Sequence, residues 1–399
     1  MWMHGPVVAC ADWDLPPKPG GSPAGTGRRP CRRCLFIKLS RSLPDTLRRE
    51  TGQTHMYADK PLLHERQKRH RPGGLRTIAL DVTSRCNMTC SHCYAETFNR
   101  VDMVDMGALG RALEEFYTLG VLHYVIQGGE PVTSPKRLEF VLRHCHPDET
   151  YINVVSNGWE MDRDRIRWLK DLKVDKIAFS LDSGIQEEHD ANRLPGSFQR
   201  VVQAIDWVRE AGLLSSISIV VTHDSLYSEG FRRAYDLARS KGIRMDVQIA
   251  EPVGKWDGRK DMLITPEDAA YIKHLQQTSG RISTGQTMIN RDIYCGDCDH
   301  CPAGIEFMSL SANGHLLPCN FLQFSLGNIR DRSIRQMRDS LMESSWFRGE
   351  VANCLCGEND DFIDRYIVPY AGQPKPLDAY AVFGLEKPPG EKPLCGHAQ

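Results

Sequence analysis

Residues 77–93, TIALDVTSRCNMTCSHC, place three cysteines directly after a short apolar run. The run Thr77–Val82 has the length and composition of a buried strand. Cys86, Cys90 and Cys93 follow in the spacing C-x3-C-x2-C. Three thiolates on so short a loop can hold three irons of a [4Fe–4S] cube and leave the fourth iron open for a ligand. A zinc site is the alternative, with the adjacent His92 as a further ligand.

Residues 75–255 alternate between strand and helix patterns. Between the strands, apolar residues recur at helical spacing, and glycines follow them as stop signals. Six β-α repeats imply parallel strands joined by right-handed crossovers. We therefore predict an α/β fold, a partial (β/α)6 barrel similar to a TIM barrel, with its active site at the carboxyl ends of the strands. The five strands predicted after the first are Val121–Ile126, Tyr151–Val155, Asp175–Leu181, Ser216–Val221 and Met245–Ile249.

Polar or glycine-rich residues follow several of these strands. Gly128-Gly129-Glu130-Pro131 follows the second strand, where glycines permit a close backbone approach to a ligand and a carboxylate suits an ammonium group. Ser156-Asn157-Gly158 ends the third strand, Ser180-Leu181-Asp182 the fourth and Thr222 the fifth, although such residues also form turns. Arg193, in HDANRLPGSF, can clamp a carboxylate or form a surface ion pair.

The chain has 14 cysteines, and nine of them lie in three places: residues 86–93, 295–319 and 354–356. Such grouping is typical of separate metal sites with a scaffold between them. Asn313-Gly314 predicts a hairpin turn between two apolar-rich strands. This hairpin would bring Cys301 and Cys319 close together.

The spacing C-x3-C-x2-C, followed by the aromatic Tyr94, resembles the signature of the radical S-adenosylmethionine superfamily. The resemblance implies that the amine and carboxylate of S-adenosylmethionine chelate the open iron. One-electron cleavage of the sulfonium then yields a 5′-deoxyadenosyl radical, which abstracts hydrogen from the substrate. Residues 128–131 resemble the GGEP motif of this family, which meets the methionyl amine. The remaining residues for which the resemblance implies contact with the cofactor or substrate are Ser156, Asn157, Ser180, Asp182, Arg193 and Thr222.

The segment from Cys301 through Gly314 to Cys319, followed by residues 327–329, resembles the C-terminal extension known as SPASM, or its shorter form, the twitch domain. It implies one auxiliary [4Fe–4S] cluster with Cys301 and Cys319 as ligands. Fewer cysteines follow than in the full SPASM pattern, which favours one cluster over two. Zinc is an alternative, and a surplus cysteine could instead donate hydrogen to a substrate radical. The candidates for the remaining ligands are Cys295 or Cys298, together with Cys354 or Cys356.

The pattern along the chain predicts five segments. Residues 1–74 are a Pro- and Arg-rich mobile extension, in which Cys31-x-x-Cys34 could form half of a zinc site and Met56 is an alternative natural start. Residues 75–255 form the barrel and residues 256–290 a helical linker. In the linker, Thr265-Pro266-Glu267-Asp268 predicts a capped helix start. Residues 291–365 form the auxiliary domain, and residues 366–399 form a C-terminal tail.

The composition excludes several protein classes. Hydrophobic residues make up 41% and charged residues 25%, which is ordinary for a globular chain. The net charge of −1 does not indicate a nucleic-acid or membrane partner. There is no apolar run of about 18 residues, and the N-terminus does not resemble a secretory signal. We therefore expect a cytoplasmic protein with reduced thiols.

These features predict a radical SAM oxidoreductase or maturase of natural-product biosynthesis, whose catalytic residues stay unknown. The favoured substrate is a small molecule such as a sugar or cyclitol, changed by dehydrogenation, bond formation or epimerisation. The alternative is a maturase of a ribosomal peptide, although residues 1–75 do not supply a winged-helix leader-recognition domain. A non-catalytic iron–sulfur scaffold or sensor is an alternative of another class. We expect an electron donor such as flavodoxin or ferredoxin.

Overall fold

The computed structural model of this chain describes residues 60–95, 103–279, 282–284 and 300–387. Predictions that concern residues 1–59, Cys295 and Cys298 lie outside the described residues. The strands are β1 (Thr77–Asp81), β2 (His123–Gln127), β3 (Tyr151–Ser156), β4 (Lys176–Ser180), β5 (Leu214–Val221), β6 (Arg244–Ile249), β7 (Ile282–Thr284), β8 (Phe307–Leu310), β9 (Leu316–Leu317), β10 (Phe324–Ser325) and β11 (Leu377–Asp378).

Helices alternate with the strands, and each amphipathic helix buries its apolar face. In the helix that follows β1, for example, Leu109, Leu113 and Phe116 are fully buried. The helices are α1 (Pro61–Arg69), α2 (Met106–Thr118), α3 (Pro135–His144), α4 (Arg163–Asp171), α5 (Gln186–Asn192), α6 (Ser197–Glu210), α7 (Glu229–Ser240), α8 (Pro266–Ser279), α9 (Ile334–Leu341), α10 (Asp360–Phe362) and α11 (Ala379–Phe383).

The central sheet has nine strands in the order β7-β6-β5-β4-β3-β2-β1-β8-β9. All neighbouring strands are parallel except β8 and β9. Side chains from β1 to β6 border one cavity, so the sheet curves around that cavity as a partial barrel. Those side chains include Ala79, Val125, Asn153, Ala178, Ser218 and Gln248. The predicted α/β fold and its first six strands are confirmed.

Two local predictions are also confirmed. The Thr265 hydroxyl accepts a hydrogen bond from the Asp268 backbone N–H at 3.2 Å, and the Asp268 carboxylate accepts one from the Thr265 N–H at 2.8 Å. This reciprocal cap satisfies two backbone donors where α8 begins. Gly314, with φ of 89°, makes the turn between β8 and β9.

Two strands of the central sheet join it in places that the sequence did not indicate. β7 extends the parallel sheet beyond β6, with Met245 opposite Ile282. β8, from the predicted auxiliary domain, pairs in parallel with β1, with Thr77 opposite Phe307. Because of this pairing, the auxiliary segment continues the barrel sheet beside the strand that leads to the first cysteine loop.

The boundary predicted at residue 74 is wrong for residues 60–74, because α1 packs against the barrel. Leu63 is fully buried and forms an apolar cluster with Leu122 and Tyr151. Lys60 forms a 2.6 Å ion pair with Asp175. A helix held by both contacts is part of the barrel and not of a mobile extension.

The segment predicted as a C-terminal tail is likewise packed where the structure describes it. Tyr366 and Phe383 lie in an aromatic cluster with Phe347 and Phe362, with ring centroids 5.0–6.4 Å apart. Edge-on and tilted ring packing of this kind stabilises a buried core. Residues 366–387 therefore complete the auxiliary segment.

None of the helices in the described ranges is long and apolar enough to cross a membrane.

We predict that Leu63→Ala lowers the free energy of unfolding by about 2–5 kcal/mol, because it removes a fully buried side chain and leaves a cavity. Leu62 is the matched control, since it is the next residue of α1 but is 53% exposed. Leu62→Ala should change stability by less than about 0.5 kcal/mol. Chemical denaturation followed by circular dichroism measures both. Equal effects of the two variants would contradict the packing of α1 against the barrel.

Candidate active site

A cavity of about 260 Å³ lies inside the curved sheet, and two groups of cysteines border it. The first group is Cys86, Cys90 and Cys93, from the loop after β1. The second group, from the auxiliary segment, is Cys301, Cys319 and Cys354. The two cysteine regions, which are more than 200 residues apart in sequence, thus share one cavity.

The glycines after β2 permit a backbone approach that no other residue allows. A Cβ on Gly129 would lie 2.1 Å from the Arg85 carbonyl oxygen, and one on Gly128 would lie 2.4 Å from the Thr83 oxygen. The N–H groups of Gly129 and Glu130 donate to those two oxygens at 2.8 Å. From the sequence, we expected these glycines to allow a ligand to approach the backbone. The contacts show that they allow the close approach of the segment that leads to Cys86.

Glu130 is buried and connects the ends of β2 and β3. Its carboxylate accepts a hydrogen bond from the Ser156 hydroxyl at 2.9 Å and another from the Asn157 backbone N–H at 2.7 Å. Burial raises the pKa of Glu130 to about 7, although these hydrogen bonds oppose that rise. The three residues border the cavity together, as their positions at the strand ends predicted.

The Asn157 side chain extends this network to the cysteine loop. Its amide donates to the Asn87 side-chain oxygen at 2.7 Å and lies 3.9 Å from the Cys86 Sγ. Burial raises the pKa of Cys86 to about 11. A metal must therefore displace the proton of this thiol in order to bind it.

The loop after β6 packs against the other end of the cysteine loop. The Lys255 N–H donates to the Cys93 carbonyl oxygen at 3.1 Å. A Cβ on Gly254 would lie 2.1 Å from that oxygen, so a glycine is required. The Trp256 ring lies 5.7 Å from the His92 ring. The structure therefore directs His92 toward this loop.

Arg193 is held by a carboxylate of the protein itself. Its guanidinium donates two 2.7 Å hydrogen bonds to Asp182, and both side chains are more than 90% buried. Burial alone would raise the pKa of Asp182, but Arg193 and the nearby His92 lower it to about 2. The remaining guanidinium nitrogen lies 3.6 Å from the Cys90 Sγ. The pair is therefore buried, so the alternative of a surface ion pair for Arg193 is wrong.

Four auxiliary cysteines lie close together. Cys354 and Cys356 are buried, and Cys301 and Cys354 are close enough for each thiol to shift the pKa of the other. Cys319 and Cys356 are close enough for each of them to influence the pKa of neighbouring thiols. The structure thus brings Cys301 and Cys319 together as the hairpin predicted, and it adds both members of the later pair.

Contacts between the two cysteine regions hold them in place. The Tyr94 ring packs edge-on against Phe321 at 5.5 Å, and the Gln323 amide donates to the Tyr94 carbonyl oxygen at 2.9 Å. The Tyr94 hydroxyl donates to Asp81 at 3.2 Å. The residue after the third cysteine therefore connects β1 to the auxiliary segment.

Three of the residues predicted to contact the cofactor do not border the cavity. Pro131 begins a short 3-10 turn, Thr222 forms reciprocal hydrogen bonds with Ser225, and Asp182 is engaged by Arg193. None of the three borders the cavity, whereas Gly128, Gly129, Ser180 and Arg193 do. Polar residues that follow a strand can either form a turn or border a site. Position in the sequence therefore did not distinguish the residues that border the cavity from those that do not.

The sequence argument missed cavity residues in the loop after β6. Glu251 and Trp256 follow β6 and border the cavity beside the cysteines. Burial raises the pKa of Glu251 to about 8. Position could have identified Glu251, because it follows the sixth predicted strand by two residues, at the edge where active sites of parallel sheets lie.

In the ranges that the structure describes, no three His, Cys, Asp or Glu side chains converge closely enough to hold a single metal ion. The zinc alternatives gain no support from those residues. A four-iron cube binds each thiolate at a different iron and so does not need such convergence. The two sets of three thiols, with the glycine backbone beside the first set, fit groups of that kind.

Comparison with known proteins agrees with this geometry. Residues 80–238 match the model of the radical SAM superfamily. An AdoMet-dependent heme synthase of Methanosarcina barkeri is 24% identical, over 66% of this chain and 81% of that protein. A PqqA peptide cyclase of Methylocella silvestris is 25% identical, over 70% of this chain and 76% of that protein. The crystal structure of Streptococcus suis SuiB bound to precursor peptide SuiA superposes on this chain with a TM-score of 0.54. The two sequences are 16% identical, and the superposition covers 80% of this chain and 75% of SuiB. The two proteins therefore share a fold.

We predict that Arg193→Met destabilises the chain by about 3–5 kcal/mol, because it leaves the Asp182 carboxylate buried without its partner. Adding Asp182→Leu should recover most of that loss, since the unpaired charge is then gone. Chemical denaturation of the single and double variants measures this.

The exposed pair of Arg232 and Glu229 is the control for that measurement. Arg232→Met should cost less than about 1 kcal/mol, because water screens an exposed pair. If Arg193→Met were no worse than Arg232→Met, the buried pair would not have the structural role described here.

Proposed function

Because this chain belongs to the radical SAM superfamily, we propose that it cleaves S-adenosylmethionine reductively and modifies a peptide substrate. A [4Fe–4S] cluster and S-adenosylmethionine are its cofactors. One observation carries the proposal: a single cavity is bordered by the C-x3-C-x2-C cysteines, by the GGEP glycines and by the auxiliary cysteines. A substrate in that cavity contacts both the radical source and the auxiliary site.

We assign Cys86, Cys90 and Cys93 to the cluster that binds S-adenosylmethionine. When bound, this cofactor pair supplies a 5′-deoxyadenosyl radical that abstracts a hydrogen atom from the substrate. The protein contributes binding, orientation and electrostatics. Arg193 places a positive charge 3.6 Å from the Cys90 Sγ, and this charge favours the thiolate form.

The cradle after β2 orients the methionyl end of the cofactor in this proposal. Gly128 and Gly129 leave the backbone without side chains at the cavity wall. Glu130, held by Ser156 and Asn157, supplies an acceptor for an ammonium group at a fixed position. Preorganisation of this kind lowers the entropic cost of binding.

We assign an auxiliary [4Fe–4S] cluster to Cys301 and Cys319, with a further ligand from the Cys354/Cys356 pair. Its position at the cavity suits either of two roles: it accepts the electron left when a substrate radical is oxidised, or it binds the substrate. An electron donor such as flavodoxin or ferredoxin supplies the reducing electron for the first cluster. Cys295 and Cys298 stay candidate ligands.

A peptide substrate has better support than the sugar or cyclitol that the sequence argument favoured. The relative from Methylocella silvestris is named a peptide cyclase, and SuiB shares the fold with a precursor peptide bound. A cyclitol or sugar has no comparable support. A small molecule of another kind is the second candidate, because the relative from Methanosarcina barkeri is named a heme synthase.

We predict that the reduced, anaerobic protein converts S-adenosylmethionine into 5′-deoxyadenosine and methionine. Replacing Cys86, Cys90 and Cys93 by Ala should abolish this conversion, because the three ligands of the cluster are lost. Cys145→Ala is the matched control, since Cys145 is a buried cysteine that does not border the cavity. Chromatography of the products measures both. A wild-type protein with no cleavage would favour the non-catalytic scaffold or sensor.

The substrate class has its own test. We predict that a short precursor-peptide gene lies beside this gene and that its synthetic peptide is changed in a reaction that needs S-adenosylmethionine. Mass spectrometry with fragment analysis locates the change, and the Cys86/Cys90/Cys93→Ala variant is the control. Neighbouring genes of tetrapyrrole or sugar metabolism, with an unchanged peptide, would instead favour the small-molecule candidate.

A further inference from the structure

Glu251 is a buried carboxylate to which the proposed function gives no role. It follows β6 by two residues and is 4% exposed. It borders the same cavity as Cys301, Cys319 and Cys354. Because a carboxylate is strongly hydrated in water, one buried this deeply is costly unless something in the protein compensates for the lost water.

The two oxygens of Glu251 have different surroundings. Oε1 lies 3.6 Å from the Cys354 Sγ, whereas Oε2 has no hydrogen-bond partner among the described residues. The neighbours that act on its charge are the carboxylate of Glu358 and the thiols of Cys301, Cys354 and Cys356. The thiols of Cys354 and Cys356 favour the charged form, whereas Glu358 and Cys301 oppose it. None of the four carries a positive charge, so no cation balances the carboxylate.

Cys356 differs from the other three auxiliary cysteines. Its Sγ donates to the Phe321 carbonyl oxygen at 3.3 Å, and it does not border the cavity. Beside the auxiliary segment, the cavity is bordered by three thiols and one carboxylate, from Cys301, Cys319, Cys354 and Glu251. A four-iron cube takes four protein ligands when every iron is held by the protein.

We propose that Glu251 is the fourth protein ligand of the auxiliary cluster, beside Cys301, Cys319 and Cys354, and that Cys356 is not bound to iron. This inference rests on the auxiliary cluster proposed above. Iron accepts carboxylate oxygen as a ligand in many protein sites. The ligand comes from the barrel, so it ties the auxiliary cluster to the end of β6.

The ligand role also accounts for the charge of Glu251. A carboxylate packed against a cube that four thiolates already hold would add negative charge to a group that is negative. A carboxylate bound to iron in place of one thiolate lies against a cation instead. The unpaired oxygen and the lack of a neighbouring cation then have one common explanation.

The test uses the full chain with Cys86, Cys90 and Cys93 replaced by Ala, so that iron at the auxiliary site is measured alone. This background should retain about four irons per chain after anaerobic reconstitution. Adding Glu251→Gln, which keeps the size of the side chain, should lower the content to about three and give the EPR signal of an oxidised [3Fe–4S] cluster. Adding Cys356→Ser should leave about four irons and no such signal.

Glu251→Cys is the control that distinguishes loss of a ligand from loss of structure. If residue 251 binds iron, a thiolate at this position should restore about four irons. The proposal is overturned if Glu251→Gln keeps four irons, or if Cys356→Ser, Cys295→Ser or Cys298→Ser gives the three-iron signal in its place. If the background itself retains almost no iron, the auxiliary cluster of the proposed function fails as well. Cleavage of S-adenosylmethionine by the unmodified protein tests the first cluster independently of all these results.

Discussion

The close contact between the glycines after β2 and the segment that leads to Cys86 is the constraint on which the site depends. The backbone N–H groups of Gly129 and Glu130 donate to carbonyl oxygens at 2.8 Å. A Cβ on Gly128 or Gly129 would overlap the segment that carries those oxygens. This contact fixes the start of the cysteine loop against the end of β2. It also places Glu130 where it can bind the end of β3. The ends of three strands and the first cysteine loop therefore share one network.

The auxiliary segment depends on a second constraint, the parallel pairing of β8 with β1. Because β1 also leads into the cysteine loop, this pairing places the hairpin and Cys319 beside that loop. Tyr94 and Phe321 then pack together at the contact between the two regions. Within the auxiliary segment, the aromatic cluster that includes Phe362 and Phe383 forms a packed core. One strand thereby positions both groups of cysteines around the cavity.

Buried ionisable groups are concentrated around this cavity. The pKa of Glu130 is raised to about 7 and that of Glu251 to about 8, in both cases mainly by burial. Asp182 has the opposite shift, because the Arg193 guanidinium lies against it. Perturbed carboxylates are costly to the fold and are concentrated at functional sites. Their presence beside two groups of thiols is consistent with a site that handles charged ligands and electrons.

The sequence by itself determined the features that depend on residues close together along the chain. The six β-α repeats, the turn at Gly314 and the reciprocal cap of Thr265 and Asp268 are set by local periodicity, backbone freedom and capping chemistry. The spacing of the first three cysteines likewise indicated a cluster site, because three ligands on one short loop need no distant partner. The glycines at the end of β2 also identified that position as a site. The sequence did not show that these glycines are needed for the close contact with the segment that leads to Cys86.

Only the tertiary structure decided which distant residues meet. It paired Arg193 with Asp182, placed β8 beside β1, packed Leu63 of α1 against Leu122 and brought Glu251 to the auxiliary cysteines. These contacts join segments far apart in the chain, and their energy comes from burial and from complementary charges in three dimensions. A single sequence contains no local pattern for such pairings. The residues were therefore visible in the sequence, whereas the partners that give them a role were not.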